Sequence, residues 1–241
     1  MKIALLCPTR ERINSQRRLI DSLKSTTNNF NNICLYFGVD ENDPFLNETM
    51  SLECDWIKVI KICNDGKFLG LGKIWNLMVK EVTEDIFMMT GDDMVFETKN
   101  WDVELLNEFV LVKDLVFMVH CNDGMRGPGN PFPGMRPLAV ASFIHRSYYD
   151  SLGYYTREEW KHGYHDDWIQ DVYTQIGRIK YRHDVMIRHL HFSNPTAGVN
   201  PDGVSNQLSA AFHEINGDSL YRSLAGERLR EANKLRELFH V

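Results

Sequence analysis

Asp92 and Asp93 stand side by side in MTGDDMVF, residues 89–96, directly after the apolar run from Ile86 to Met89. Adjacent carboxylates at the end of an apolar strand can hold a divalent cation such as Mn²⁺ or Mg²⁺, which prefers carboxylate oxygens and keeps positions open for phosphate oxygens. They can equally be solvated acids of a turn. Consecutive side chains on a strand point to opposite faces, so both acids reach one ligand only if the chain turns, and Gly91 permits the backbone geometry of such a turn. A second pair, Asp166 and Asp167 in GYHDDWIQDVY, sits where an N-cap and a first-turn acid would stabilise the following helix. In RHLHF, His189 and His191 are two apart on an expected strand and share one face. A neutral imidazole there can complete the coordination of a metal held by Asp93, or both rings can bond within the fold. His183 is read as unrelated.

The elements that must position these groups are legible as alternating patterns. Strand-like runs cover residues 2–8, 33–40, 56–63, 85–92 and 115–121, and helix-compatible apolar spacing covers 13–23, 74–82 and 101–110. Such alternation implies an α/β fold, a mostly parallel sheet covered on both faces, with ligands at the carboxyl ends of the strands. On that rim Cys7-Pro8-Thr9-Arg10 ends the first strand, Val39 to Pro44 ends the second, and Gly70 to Asn76 opens a helix after the third. Each also has a structural account: Pro8 and Pro44 as strand terminators, Asp40 and Asp43 as turn formers, the glycines as a loop. The second half opens with NDGMRGPGNPFPGMRP, residues 122–137, a Gly- and Pro-rich stretch expected to be an irregular lid or acceptor-binding loop. A strand over 138–146, a helix starting near Asp166 and a strand over 180–192 follow. Over 218–239, Tyr221, Leu224, Leu229, Ala232, Leu235 and Phe239 fall on one helical face, to pack on the body or, as a homodimer contact, on a second subunit.

The chain has 241 residues, 43% hydrophobic and 25% charged, which fits one compact globular unit. No apolar run approaches the ~20 residues that span a bilayer. A net charge of −6 argues against general nucleic-acid binding, which clustered Lys and Arg drive. The local exception is RERINSQRR, Arg10 to Arg18, a basic group suited to a small anionic ligand. The five cysteines are widely spaced without a CxxC, as expected of reduced thiols in a cytoplasmic protein. Ile3 to Cys7 is shorter than the ~7–15 residue core of a signal peptide and reads as a first strand.

On these residues the chain resembles the nucleotide-sugar glycosyltransferases of the GT-A fold. PTRER after the first strand, VDEND after the second, GLGKIWN at a helix start and MTGDDMVF at the fourth strand are similar to that family's nucleotide-binding elements and its Asp-x-Asp metal motif, over roughly residues 1–195. One departure is that Gly91 stands where the motif has its first acid; Asp93 matches the metal-binding second acid, and Asp92 takes the middle position, where it would touch ribose or the metal's water shell. The resemblance implies a GT-A (Rossmann-like) sheet flanked by helices. Residues 1–120 would be the donor half, 121–200 the acceptor and catalytic half of the same domain, and 201–241 a C-terminal helical extension. It further implies that Pro8, Thr9 and Arg10 line the base and ribose pocket, that Asp40 bonds base or ribose, and that Lys73 and Asn76 face the nucleotide or sugar. Asp167, paired with Asp166, corresponds to the base that deprotonates the acceptor hydroxyl in inverting members, and His191 to the C-terminal histidine that joins Asp93 on the metal.

The function so implied is Mn²⁺- or Mg²⁺-dependent transfer of a sugar from a nucleoside diphosphate sugar, a UDP-sugar by family habit, to a hydroxyl on a glycan, lipid or other biomolecule. A sugar-phosphate nucleotidyltransferase would need a Gly-rich loop after the first strand, where CPTRERIN has no glycine. A cysteine phosphatase needs Cys-x5-Arg, and Ile13 stands at the arginine position after Cys7. A nucleotide- or carbohydrate-binding module without turnover stays open.

Overall fold

Strands form where apolar residues run unbroken. In the computed structural model, residues 1–214 and 216–240 are described; Ile215 and Val241, both in the expected C-terminal extension, lie outside the described residues. The strands β1 (Ile3–Thr9), β2 (Ile33–Asp40), β3 (Ile57–Ile62), β4 (Ile86–Met89), β5 (Met94–Phe96), β6 (Met118–Asn122), β7 (Ser142–His145) and β8 (Ile179–His189) make one sheet in the order β3-β2-β1-β4-β7-β6-β8-β5. β1 pairs in parallel with β2 and β4, β2 with β3, and β6 with β8. Only β7, antiparallel to β4 and β6, and β5, antiparallel to β8, run the other way, so the sheet is mostly parallel as expected.

Helices cover both faces: α1 (Ile13–Thr26), α2 (Leu46–Met50), α3 (Leu71–Lys80), α4 (Trp101–Val110), α5 (Ser147–Leu152), α6 (His165–Ile176), α7 (Gly203–His213), α8 (Gly217–Ser223) and α9 (Ala225–Arg236). The period-2 alternation of a strand divides the core between the faces. On one side Ile3, Leu5 and Cys7 of β1 and Met88 of β4 pack with Leu19 and Leu23 of α1 and Trp101, Leu105 and Phe109 of α4. On the other, Ala4, Leu6, Phe87 and Met89 pack with Trp75 and Val79 of α3, Trp168 and Val172 of α6 and Leu235 of α9. Each fully buried side chain of this size contributes about 1.5–3 kcal/mol, which is why double-sided strands read as continuous apolar runs.

Four sequence expectations change. MVF after the paired acids is the short strand β5. The run 138–146 keeps strand geometry only over Ser142–His145, and the last strand stops at His189 instead of continuing to residue 192. The expected C-terminal helix is broken at Leu224 into α8 and α9. The break is stable because Arg228 Nη1 donates to the Tyr221 carbonyl at 2.6 Å, satisfying an acceptor freed at the end of α8. A charged 12-residue helix such as α9 is marginal alone. It is held within the chain by buried Ala232 and Leu235 and by Glu231, which accepts from Trp168 Nε1 at 2.7 Å and from Tyr154. Ala232 and Leu235 are therefore spent on the chain's own body, while Leu229, expected on the same face, is 49% exposed.

Cys7, Cys34 and Cys121 are buried free thiols, while Cys54 and Cys63 are exposed. Among the described residues no helix is long and apolar enough to cross a membrane.

The glycines of GLGK serve a close approach. A Cβ on Gly72 would lie 2.3 Å from the Arg157 carbonyl oxygen and 2.8 Å from His165 Cε1, so α3 and the segment leading into α6 touch where Gly72 has no side chain. Gly72→Ala must push backbone apart and is expected to cost about 1–3 kcal/mol in urea unfolding; unchanged stability would show that this contact is loose.

Candidate active site

Gly91 to Met94 form a turn in which the Met94 N–H donates to the Gly91 carbonyl at 3.2 Å, with Asp92 and Asp93 as its two central residues. A Cβ on Gly91 would stand 2.5 Å from Asp93 Oδ1, so a side chain there would displace that carboxylate. Gly91 has no positive φ, so the expected unusual backbone geometry is absent, and what the glycine preserves is the position of the Asp93 carboxylate.

The turn sends the two carboxylates to different partners. Asp92 is 3% exposed and has both oxygens engaged: Thr9 Oγ1 donates to Oδ2 at 2.6 Å, and Arg12 Nη1 to Oδ1 at 3.3 Å. A relay continues behind it, Gln16 Nε2 donating to Thr9 Oγ1 at 3.2 Å and Thr49 Oγ1 to Gln16 Oε1 at 2.9 Å. Burial and the neighbouring charge of Asp93 raise the Asp92 pKa above the ordinary carboxylate range. Asp93 faces His189, whose Nε2 lies 3.2 Å from Asp93 Oδ2. Against the upward push of burial, His189 and Arg12 hold the Asp93 carboxyl well below its usual pKa.

His189, and not His191, is brought to Asp93. The antiparallel pairing of β5 with β8 sets Met94 opposite His189, and the Leu190 N–H donates to the Asp93 carbonyl at 2.8 Å. His191 lies past the strand end, with Nδ1 2.6 Å from Ser193 Oγ. The ligand atoms of Asp93, His189 and His191 do not all lie within 4.8 Å of one another. A divalent cation fits the first two: ligands each about 2.1 Å from one ion and at right angles sit about 3 Å apart, close to the 3.2 Å observed. A carboxylate and an imidazole also form a donor set suited to Mn²⁺.

Asp166 and Asp167 lie in the first turn of α6, but the N-cap position belongs to Tyr164, which has φ 62° and caps with no side chain. The expected N-cap role therefore falls away; the chain enters α6 through a left-handed Gly163–Tyr164 step, and both acids border the cavity. Burial, then repulsion from Asp166, pushes Asp167 up to about 6. Asp92, Asp93, Asp166, Asp167, His189 and His191 all border one cavity of about 750 Å³, a size typical of sites for small organic ligands. Pro8 borders it too.

Other expected residues do not reach it. Arg10 Nη1 donates to Asp40 Oδ2 at 2.6 Å, an ion pair at the ends of β1 and β2 outside the cavity lining. Lys73 is exposed on α3, away from the lining. Asn76 is buried and wholly occupied: Oδ1 accepts from the Tyr155 and Thr156 N–H groups at 2.8 and 3.0 Å, and Nδ2 donates to the Thr156 carbonyl at 2.8 Å. It anchors the segment before α6 and lies outside the cavity lining. Arg12 was missed as an individual, although the basic run containing it stood out. Its guanidinium bridges Asp92 and the α7 cap, donating to Asp202 at 2.8 and 2.6 Å and to Ser205 Oγ at 2.7 Å. Asp123 and α7 itself carried no signal in the sequence.

The chain matches no protein-family model and no curated protein. Its structure is similar to that of S. aureus TarS 1-349 in complex with UDP, with a TM-score of 0.61 and 14% identity over 78% of this chain and 59% of that one. It is similar to the mannosyltransferase PcManGT from Pyrobaculum calidifontis in complex with GDP-Man and Mn²⁺, TM-score 0.57 and 12% identity, over 98% of this chain and 73% of that one. This is the GT-A fold. GalNAc-T7 with UDP, GalNAc and Mn²⁺ aligns with TM-score 0.61 and 13% identity over 78% of this chain and 44% of that one. The chain thus spans little more than half of TarS 1-349 and less than half of GalNAc-T7. Within the GT-A frame the cavity lies where sheet polarity places ligands, at the carboxyl ends of β1 and β4.

Asn76→Ala strands two buried backbone donors, so the melting temperature should fall by about 4–8 °C while nucleotide affinity stays at the wild-type value. A selective loss of affinity with normal melting would return Asn76 to the ligand.

Proposed function

We propose that this chain is a metal-dependent glycosyltransferase that moves a sugar from a nucleoside diphosphate sugar to a hydroxyl acceptor. The observation that carries the reading is the meeting of three sequence-distant groups, Asp92–Asp93, Asp166–Asp167 and His189–His191, on one cavity of a GT-A fold. TarS 1-349 in complex with UDP or UDP-GlcNAc and GalNAc-T7 with UDP and Mn²⁺ support a uridine donor and manganese; PcManGT with GDP-Man keeps guanosine as the comparison to test.

In this proposal Asp93 and His189 hold the cation, with His191 beside them. Bound there, a divalent cation supplies positive charge that offsets the diphosphate leaving group. Arg12 adds a fixed guanidinium on the same wall, oriented by Asp92, so its charge is in place before the leaving group develops its own. Pro8, which borders the cavity at the end of β1, would flank the nucleoside, with Thr9 behind it orienting Asp92 and the Arg10–Asp40 pair lying beyond the lining. Asp167 accepts the acceptor's hydroxyl proton as that oxygen bonds to the anomeric carbon; the bond from that carbon to the diphosphate oxygen breaks, its electron pair leaving with the diphosphate. The sugar is thereby inverted. General-base help of this kind is worth about 10²–10⁴-fold.

A thermal-shift screen of UDP- and GDP-sugars with and without Mn²⁺, followed by nucleotide release, tests the reading; absence of any metal-dependent nucleotide binding would end it. Asp167→Asn keeps the shape but cannot take a proton, so turnover should fall by about two to four orders of magnitude with donor affinity intact; near-normal turnover would remove Asp167 from the mechanism.

The same assignment fixes a pH dependence. A base works only when deprotonated, so wild-type kcat/KM should decline as pH falls through about 6, the value to which burial and Asp166 raise Asp167. A profile flat from pH 5 to 8 would contradict it.

A further inference from the structure

Four side chains bordering the cavity carry a buried nitrogen or oxygen with no hydrogen-bond partner among the described residues: Arg18 Nε, Asp123 Oδ2, His162 Nδ1 and His165 Nε2. Asp123 is the only carboxylate of the four. Buried polar atoms are almost always paired, and an unpaired carboxylate oxygen costs more than an unpaired ring nitrogen, so this one asks for a partner that arrives with a ligand.

Asp123 is held as a receptor would be. It is 3% exposed and follows β6 directly. Its Oδ1 accepts from the Met125 and Arg126 N–H groups at 2.8 and 3.1 Å, which fixes the rotamer and leaves Oδ2 over. The surrounding turn is pinned as well: Asn122 Oδ1 accepts from the Gly124 N–H at 2.9 Å and from Asn130 Nδ2 at 2.8 Å. Gly124 has φ +71°, a conformation that side-chain-bearing residues rarely adopt, so glycine holds this turn. Finally, the Asp123 carbonyl accepts from the His189 N–H at 2.9 Å, tying this receptor to the strand that carries His189 to Asp93.

We propose that Asp123 reads the transferred sugar: its spare Oδ2 accepts hydrogen bonds from hydroxyl groups of the hexose ring lying next to the diphosphate. This rests on the glycosyl-transfer reading above. The chemistry selects that partner among the parts of a sugar nucleotide. A phosphate would be repelled by a fixed carboxylate, and an apolar group would leave the oxygen unpaired. Neutral O–H donors satisfy it, and the backbone bond to His189 puts it beside the metal end of the donor rather than the nucleoside end. A site that hydrogen-bonds a substrate hydroxyl rejects analogues lacking it, because its own buried acceptor is then stranded. Asp123 is thus a specificity-determining residue and takes no part in the proton transfer assigned to Asp167.

Titration calorimetry with Mn²⁺ separates the outcomes, using UDP, UDP-glucose, UDP-galactose, UDP-N-acetylglucosamine and GDP-mannose on the wild type, Asp123→Asn and Asp123→Ser. Both variants keep an oxygen for the Met125 and Arg126 N–H groups, and Ser removes the second oxygen altogether. The expected result is an unchanged affinity for the bare nucleotide and a loss of about 10- to 100-fold for the sugar nucleotide that the wild type binds best. The deoxy analogue of that sugar should lose as much on the wild type and little more on either variant. Equal sugar-nucleotide affinity in all three proteins would overturn the role of Asp123 while leaving the transferase reading standing. Failure of the wild type to bind any of the five probes would overturn that reading and, with it, this one.

Discussion

Two like charges on adjacent residues repel, and the architecture of the site follows from how the chain separates them. The Gly91–Met94 turn gives each acid its own partners: Asp92 goes to Arg12 and Thr9, Asp93 to His189. Separation works only because three remote pieces arrive together. The end of β1 brings Thr9, the start of α1 brings Arg12, and the short strand β5 aligns β8 so that His189 stands beside Asp93. The buried relay through Gln16 and Thr49 makes the Asp92 side rigid, whereas the Asp93 side keeps part of its carboxylate open to the cavity, being 25% exposed. Of the two acids, Asp92 has both oxygens engaged within the chain, and Asp93 is the one with carboxylate left exposed to the cavity.

Arg12 extends this constraint across the cavity. Its guanidinium is shared between Asp92 on the floor and Asp202, whose other contact caps α7 by accepting from the Ser205 N–H at 2.7 Å. Within α7 only Ala211 is buried. At the far end of that helix, Phe212 stacks on Tyr164 with ring centroids 5.9 Å apart and nearly parallel planes. The helix is thus fixed at both ends by side chains that also border the cavity, Arg12 at one and Tyr164 at the other. The wall carrying Asp166 and Asp167 is set by α3, since Gly72 admits the close approach and Asn76 holds the backbone of Tyr155 and Thr156.

What the sequence revealed was what local periodicity encodes. β1, β2 and α4 fall within a residue of their expected limits because each presents an uninterrupted apolar run or one amphipathic face. β5 is three residues long, too short for any period to show, and the register that sets His189 beside Asp93 depends on that strand. Asn76 and Lys73 lie outside the cavity lining for a related reason. A motif at a helix start specifies the backbone, but which helix face meets the ligand depends on what packs against it, here the 155–165 segment far along the chain. Arg12, Asp123 and α7 act through contacts spanning 80 to 190 residues or through an unpaired atom, and neither leaves a local trace.

The most direct test is a crystal of the protein grown with Mn²⁺ and UDP, with diffraction collected at the manganese absorption edge. An anomalous peak bonded to both the Asp93 carboxylate and His189 Nε2, with UDP phosphate oxygens on its remaining positions, is the predicted result. Manganese bound away from Asp93, for instance at the exposed group of Glu41, Cys63 and Asp65, with UDP lying outside the cavity, would contradict it.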